Sequence, residues 1–286
     1  MFKIKKLLQK AIENLKKKNI PQPELEAQII MANVLNCDRI HLLIDLDKEI
    51  NKNQKNKFEK YVNLRMKNYP LFYIIGKKEF MGIEFIISPD VFIPRQETEF
   101  LVEEVIRLNK NRNSRILDIG TGCGNIAVSI AKFIPGADIT GIDISKKSIE
   151  IARLNSKRQN VCDRVKFICD DFLRFKKNLN INKRFDFIVS NPPYVAGSEF
   201  KFLQREIFYE PRIALYAGED GLFFYREIAD FSKKYLKRNG LTIVELSYNN
   251  SEKVIDIFRN MDLRFIKTVK DYFGFERVAV FKKIYG

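Results

Sequence analysis

From about residue 95 to the end, strand-length apolar runs alternate with helix-length amphipathic ones, and this alternation allows few architectures. Glu97 to Leu108 reads as a helix, and Arg115-Ile-Leu-Asp-Ile119 as a strand entering a glycine turn. Further helices are expected at about 125–133, 146–159, 221–237 and 249–260. Strands are expected at 138–143, 165–169, 185–190, 241–246, 263–269 and 276–283. Parallel strands need long crossovers, which these helices supply, so the segment predicts a doubly wound, mostly parallel α/β sheet. The last two strands have no helix between them, which predicts one antiparallel strand.

The start of the chain follows a different period. Ile4, Leu7, Leu8, Ala11, Ile12 and Leu15 mark one helix, and Leu25, Ile29, Ile30, Ala32, Val34 and Leu35 a second, with Pro23 and Glu24 placed to open it. A third helical pattern lies near 53–67. Residues 1–70 are therefore expected to form a small helical bundle. Between 71 and 94, dense β-branched and aromatic residues punctuated by Gly76, Gly82 and Pro89 predict a β-hairpin connector, leaving 95–286 as the α/β domain.

Composition removes whole classes of chemistry. With His41 as the single histidine, Ser-His-Asp hydrolysis and multi-histidine metal sites are excluded, and no metal is expected. Cys37, Cys123, Cys162 and Cys169 form no C-x-x-C pair and read as free thiols of a reducing compartment. The N-terminus has charges but no apolar core behind them, and no run approaches the ~18 apolar residues of a spanning helix, so a soluble cytoplasmic protein without membrane contact is expected. The net charge of +15 fits either a basic docking face or the coding bias of a Lys-, Ile- and Asn-rich chain. Residues 1–85 carry 17 basic against 10 acidic residues, so any basic face is concentrated there.

Three motifs sit at expected strand ends. In Leu117-Asp-Ile-Gly-Thr-Gly-Cys-Gly-Asn125, a strand meets Gly120, Gly122 and Gly124 and a helix follows at once. Glycines allow the tight turn and a close backbone approach to a ligand. The G-x-G-x-G spacing points to S-adenosylmethionine rather than a nicotinamide cofactor, with Thr121 and Cys123 in the same loop. Asp143 ends the next strand, where a carboxylate can accept both ribose hydroxyls. Asp170 and Asp171 end the third, where one carboxylate can reach an adenine amine or, equally, cap a helix.

A fourth motif decides the chemistry. Asn191-Pro-Pro-Tyr194 follows the fourth strand. Methylating a planar nitrogen requires its two N–H bonds to be held so that the lone pair rotates toward the methyl carbon. The Asn191 side-chain oxygen and the Pro192 carbonyl supply two acceptors, Pro192-Pro193 stiffens the loop, and Tyr194 stacks on the plane. Positioning replaces a strong base, which suits a chain almost without histidine.

These motifs resemble class I S-adenosylmethionine-dependent methyltransferases acting on planar nitrogens. More of the chain is similar to HemK-type release factor glutamine methyltransferases: Phe92-Ile-Pro-Arg-Gln-Glu-Thr-Glu99, Glu210-Pro-Arg-Ile-Ala-Leu215, Gly218-Glu-Asp-Gly221 and Asp271-Tyr-Phe-Gly274 before Arg277. The resemblance covers nearly the whole chain. It implies a seven-stranded sheet with the last strand antiparallel and methyl transfer to a glutamine amide in the peptidyl-tRNA hydrolysis loop of class 1 release factors, leaving S-adenosylhomocysteine. It also implies that Gly120 to Gly124 line the methionine part of the cofactor, that Asp143 holds its ribose, that Asp170 and Asp171 lie near the adenine, and that Asn191 touches both cofactor and substrate. Asp171 stands where the family usually has an aromatic, so either Phe172 stacks on the adenine or hydrogen bonds hold it. Gln96 and Leu246-Ser247 are further departures in local loops. Arg95, Glu97 and Glu99 read either as part of the substrate mouth or as an ordinary helix start.

Two other enzymes share the tetrapeptide logic: an adenine-amine methyltransferase on DNA or RNA, and a ribosomal protein glutamine methyltransferase. The first must flip its base and usually carries a recognition domain larger than the N-terminal bundle, so nucleic acid is not the expected substrate. A basic scaffold with an inactive methyltransferase fold is opposed by the intact motifs. A monomer with a protein substrate is expected.

Overall fold

The computed structural model describes residues 2–110, 113–180 and 184–284. Two compact units separate, one formed by residues 1–77 with 204–209, the other by 78–203 with 210–286.

The first unit is helical. Strand β1 (Phe2–Lys3) leads into α1 (Ile4–Lys17), followed by α2 (Pro23–Leu35), α3 (Arg39–Ile44), β2 (Glu49–Ile50), α4 (Lys52–Arg65) and α5 (Leu71–Ile75). Ile4, Leu8, Ala11 and Leu15 recur at the spacing of one helical face and are buried, packed with Ala27, Ile30 and Met31 of α2 and with Phe58 and Val62 of α4. Pro23 opens α2, where its missing N–H has no partner to lose, and Asn36 closes it in the left-handed region at φ 53°. Asn51 and Gln54 cap each other's backbone N–H groups across 2.9 and 3.0 Å to start α4. Helix α3 and the β1–β2 ribbon are too short to register in a periodicity reading. The connector needs correction: Leu71–Ile75 is helical and ends on Gly76 at φ 77°, so the hairpin starts only after it.

One ion pair organises this unit. Arg65, 3% exposed at its side chain, donates to Glu26 of α2 and lies 3.1 Å from Glu206 of the 204–209 segment. Tyr209 of the same segment donates to the Lys67 carbonyl and packs edge-on to Tyr69, with ring centroids 5.1 Å apart.

The second unit opens with the hairpin β3 (Lys77–Phe80) and β4 (Ile83–Ile86). Then come α6 (Glu99–Leu108), β5 (Arg115–Ile119), α7 (Asn125–Phe133), β6 (Asp138–Asp143), α8 (Lys146–Arg158), β7 (Val165–Cys169), α9 (Phe172–Asn178) and β8 (Phe185–Ser190). The chain closes with α10 (Phe223–Tyr235), β9 (Leu236–Glu245), α11 (Ser251–Arg259), β10 (Leu263–Lys270) and β11 (Glu276–Lys283). Strands β5 to β11 form one seven-stranded sheet in the order β10-β11-β9-β8-β5-β6-β7. Only β11 runs against its neighbours, as the missing crossover before it predicts. Alternate residues of each strand point to opposite faces and both faces are covered. Ile116, Phe187 and Ile243 pack with α6, α7, α8 and the hairpin's Phe80 and Phe85, whereas Leu117, Ile188 and Val244 pack with α9, α10 and α11. Two differences from the sequence expectation are α9, which is short, and β9, which begins five residues earlier and is irregular between the pairs Phe185–Leu236 and Phe187–Leu241.

The chain order reverses between β5 and β8, so the connections from these two strands diverge and leave a crevice at their carboxyl ends. As an expected outcome, Arg65→Ala leaves Glu26 without its cation and destabilises the protein by about 3 kcal/mol, measured by urea denaturation of the full chain.

Candidate active site

The crevice holds a cavity of about 270 Å³, against the order of 10–15 Å³ that one water requires. Its wall joins the ends of four strands, and the turn after β5 forms the floor. Gly120, Gly122 and Gly124 have φ of 72°, 56° and 82°, which L side chains adopt only with strain. The Gly120 and Thr121 N–H groups both donate to the Ile142 carbonyl at 2.9 Å, pinning the turn to the end of β6. A Cβ placed on Gly120 or Gly122 would meet no atom within 4 Å, so the backbone there borders open space. At Gly124 a Cβ would lie 3.1 Å from both Ala152 and Phe167, so this glycine serves the packing of α7 against α8 and β7.

Asp143 closes the other side of the floor. Its carboxylate accepts from the Gly122 N–H at 2.9 Å and the Ser145 N–H at 2.8 Å. Burial raises its pKa while these two donors hold it down. Each oxygen keeps a lone pair beyond its backbone donor, so the group can still accept from vicinal hydroxyls. Behind the turn, the Thr121 hydroxyl donates to Asp118 at 2.6 Å, and burial pushes the Asp118 carboxyl up to about 7.

Asn191-Pro-Pro-Tyr194 stands on the opposite wall. The Ser190 hydroxyl donates to the Ile119 carbonyl at 2.7 Å, which fixes the end of β8 to the end of β5 and sets Asn191 beside Gly120. The Asn191 side-chain amide donates to Thr98 at 3.1 Å. After the tetrapeptide, the Val195 N–H donates to Leu215 at 2.9 Å and its carbonyl accepts from Ala217 at 3.0 Å. Gly221 allows this approach: a Cβ there would lie 2.6 Å from the Tyr194 carbonyl. Burial raises the Tyr194 hydroxyl's pKa, as does the nearby Glu245 charge, so the ring stays neutral.

The mouth is apolar. Phe92 and Pro94 face Pro211, Ile213 and Ala214 around the cavity. Glu210, 6% exposed, joins the two lips by pairing with Arg95 and accepting from the Ile93 N–H at 3.2 Å. Arg95 also lies over the Phe92 ring, 4.5 Å from its centroid.

Of the residues singled out from the sequence, Gly120, Thr121, Gly122, Asp143, Asp170, Asp171, Asn191, Pro192, Pro193 and Tyr194 all line this one cavity. Cys123 and Gly124 do not. The Cys123 thiol is fully buried, 3.6 Å from the Asn125 side-chain oxygen, and burial pushes it up to about 12. Asp171 caps α9, accepting from the Leu173 and Arg174 N–H groups at 2.7 and 3.1 Å, while Asp170 pairs with Arg174. Phe172 borders the cavity with its ring 5.4 Å from that of Phe231. Glu99 accepts from the Met81 N–H at 2.8 Å, which gives it a fold-holding role. Sequence reasoning missed Thr98, which lines the cavity and accepts from Asn191; its signal was a hydroxyl within a charged helix start. Among the described residues, no group of three His, Cys, Asp or Glu side chains is arranged to hold a metal ion.

Comparison with known proteins places the chain in a family. Residues 6–76 match the family model described as the PrmC N-terminal domain, and residues 84–224 that described as the methyltransferase small domain. A release factor glutamine methyltransferase from Clostridium acetobutylicum is 39% identical, over 98% of this chain and 98% of its own. The chain belongs to the release factor glutamine methyltransferase family. It is also 38% identical to a bifunctional methyltransferase from Rickettsia conorii, over 98% of this chain but 58% of that longer protein. A crystal structure of a methyltransferase from Pyrococcus furiosus shares the fold alone, with a TM-score of 0.51 at 18% identity over 72% of this chain and 91% of that one. The seven-stranded sheet with its antiparallel last strand is thus the family's methyltransferase fold, and the chain is an enzyme of that class.

The family fold depends here on Gly141, where a Cβ would fall 2.7 Å from the Phe167 ring and 2.8 Å from the Thr121 hydroxyl. Gly141→Ala is expected to lower stability by about 1–3 kcal/mol through overpacking, read as a fall in the urea midpoint.

Proposed function

We propose that this enzyme transfers a methyl group from S-adenosylmethionine to the side-chain amide nitrogen of a glutamine in the conserved loop of class 1 peptide chain release factors. The observation that carries the reading is that Asn191-Pro-Pro-Tyr194 borders the same cavity as the Gly120–Gly122 turn and Asp143. A nucleophile held by the first lies beside a cofactor held by the second. The names of relatives that align along their full length support the glutamine and the release factor as acceptor.

The residues present suit this cofactor. The Gly120 and Gly122 backbone leaves side-chain space open, and the Asp143 oxygens face it with lone pairs to spare for ribose hydroxyls. When bound, S-adenosylmethionine supplies a methyl carbon on a cationic sulfur, which departs as the thioether of S-adenosylhomocysteine. Asn191 and the Pro192 carbonyl accept the two amide hydrogens and turn the nitrogen lone pair out of conjugation. Tyr194, neutral and half-buried, stacks on the amide plane. The nitrogen loses one proton as its new bond forms, so no strong base is needed. The apolar lips, Phe92 and Pro94 against Pro211 and Ile213, keep water from the reacting atoms. Release factors act in the cytoplasm, which supports a cytoplasmic location for the enzyme as well.

Incubation with methyl-labelled S-adenosylmethionine is expected to label a release factor, and a Gln→Ala change in the acceptor loop to abolish the label. Labelling of DNA or of a ribosomal protein fraction instead would replace this reading with one of the two related activities. Asn191→Ala is expected to slow transfer by roughly 100-fold while keeping much of the cofactor affinity, because it removes an acceptor that the nucleophile needs. Asp143→Ala should do the reverse, raising the cofactor Kd by roughly 10- to 100-fold in calorimetry.

A further inference from the structure

One motif of the sequence lies outside the cavity lining: Asp271-Tyr-Phe-Gly274, in the turn between β10 and β11. The turn is rigidly built. The buried Asp271 carboxylate accepts from the Phe273 and Phe275 N–H groups at 2.9 and 3.0 Å and pairs with Arg277 at 2.7 Å. The Asp271 N–H donates to the Phe275 carbonyl at 2.8 Å and the Gly274 N–H to the Asp271 carbonyl at 3.0 Å, with Gly274 at φ 86°. All this order presents apolar surface to solvent: Tyr272 is 84%, Phe273 87% and Phe275 49% exposed. Single exposed apolar residues are ordinary, but three aromatics on one braced turn form a patch of the kind that marks an interaction site.

Its place in the fold says what can cover it. β10 runs parallel to β9, so its carboxyl end and the turn that follows lie on the same edge of the sheet as the crevice. With strands ~4.8 Å apart, β11 and β10 stand about 10–15 Å from β8, which leads into Asn191. Two contacts tie the turn to the rim of the site. The Leu246 N–H, just past the end of β9, donates to the Arg277 carbonyl at 2.7 Å. The Tyr272 ring meets Phe100 edge-on with centroids 5.1 Å apart, two residues beyond Thr98 of the cavity wall. A protein-borne amide enters the cavity only as a side chain, so the body that carries it comes to rest on this edge. A round interface of ordinary size, ~800 Å² per partner, has a radius of about 16 Å, which reaches from the mouth to the turn.

We propose that Tyr272, Phe273 and Phe275 form a docking surface for the folded body of the protein acceptor, seating an apolar patch of it beside the loop whose glutamine enters the cavity; this rests on the reading of that acceptor as a release factor. Aromatic side chains give large contact area at small cost in conformational freedom, and tyrosine is among the residues that dominate protein interfaces. The bracing by Asp271 fixes the turn before the partner arrives, which lowers the ordering cost of binding. Nucleic acids also stack on aromatic rings, but they need free cations along their phosphates. Residues 271–275 include no lysine or arginine, and Arg277 beside them is held by Asp271. The cavity thus selects the amide, and the turn selects the protein that presents it.

Tyr272→Ser and Phe273→Ser are each expected to raise KM for an intact release factor roughly 10-fold, and the double change more, with kcat and the calorimetric cofactor Kd much less affected. Both side chains are exposed, so these variants keep the wild-type urea midpoint. Phe133→Ser, at an exposed position where α7 ends on the opposite edge of the sheet, is the control and leaves KM as it is. Contact is read directly by placing benzoylphenylalanine at position 273 of the full chain, which on irradiation is expected to cross-link to the release factor. Unchanged KM in the double variant, or no cross-link at saturating release factor, would overturn the proposal even where wild-type labelling upholds the functional reading. A cross-link to an added RNA oligonucleotide in place of the factor would overturn it too, in favour of nucleic acid. If the wild type labels no release factor, the functional reading fails first and takes the docking surface with it.

Discussion

The site depends on the pinning of one glycine turn to the end of the neighbouring strand. Two N–H groups of the turn share the Ile142 carbonyl, and a third, from Gly122, reaches the Asp143 carboxylate. These bonds satisfy backbone donors that a sharp turn would otherwise leave bare. They also present Asp143 and the open backbone of Gly120 and Gly122 to the same cavity. The Ser190 hydroxyl extends the same logic to β8, so the Asn191-Pro-Pro-Tyr194 loop is referenced to the glycine turn. An active site that works by orientation needs its two halves fixed to each other within a fraction of an ångström.

The rest of the second unit serves that alignment. Gly124 and Gly141 carry no ligand-facing role, yet each removes a Cβ that would push α8 or Phe167 away from the turn. Gly221 lets a distant loop close on the Tyr194 backbone, and Glu210 braces the lips through Arg95 and the Ile93 N–H. The scarcity of histidine fits this arrangement: the groups near the acceptor are amides, carbonyls, a hydroxyl and a neutral phenol, which orient rather than exchange protons. The net charge of +15 plays no part in the chemistry of the cavity, whose mouth is apolar.

Much of this was legible in the chain. Strands buried on both faces read as continuous apolar runs, and the absence of a helix between β10 and β11 discloses the antiparallel strand. Where the reading failed, local patterns had competing solutions. Leu71-Phe-Tyr-Ile-Ile75 is as apolar and branched as any strand, but it packs as a helix on the first unit's core and ends on Gly76. Asp170 and Asp171 read equally as ligand or cap; the structure has Asp171 capping α9 and Asp170 paired to Arg174, with both still at the cavity wall. Cys123, inside the glycine motif, is fully buried in the core rather than at the cavity.

By itself the sequence determined the sheet's connectivity, the glycine turn, the carboxylate one strand over and the Asn-Pro-Pro-Tyr tetrapeptide after the fourth strand. Each is a local pattern, set by backbone freedom, periodicity or side-chain chemistry within a few residues. Tertiary structure alone decided that Gln204–Tyr209 belongs with the N-terminal unit through Arg65 and Tyr69, and that Thr98 stands beside Asn191. Thr98 and Asn191 are 93 residues apart. A hydrogen bond depends on separation in space, and no spacing along the chain encodes that until the parallel strands bring their carboxyl ends to one edge.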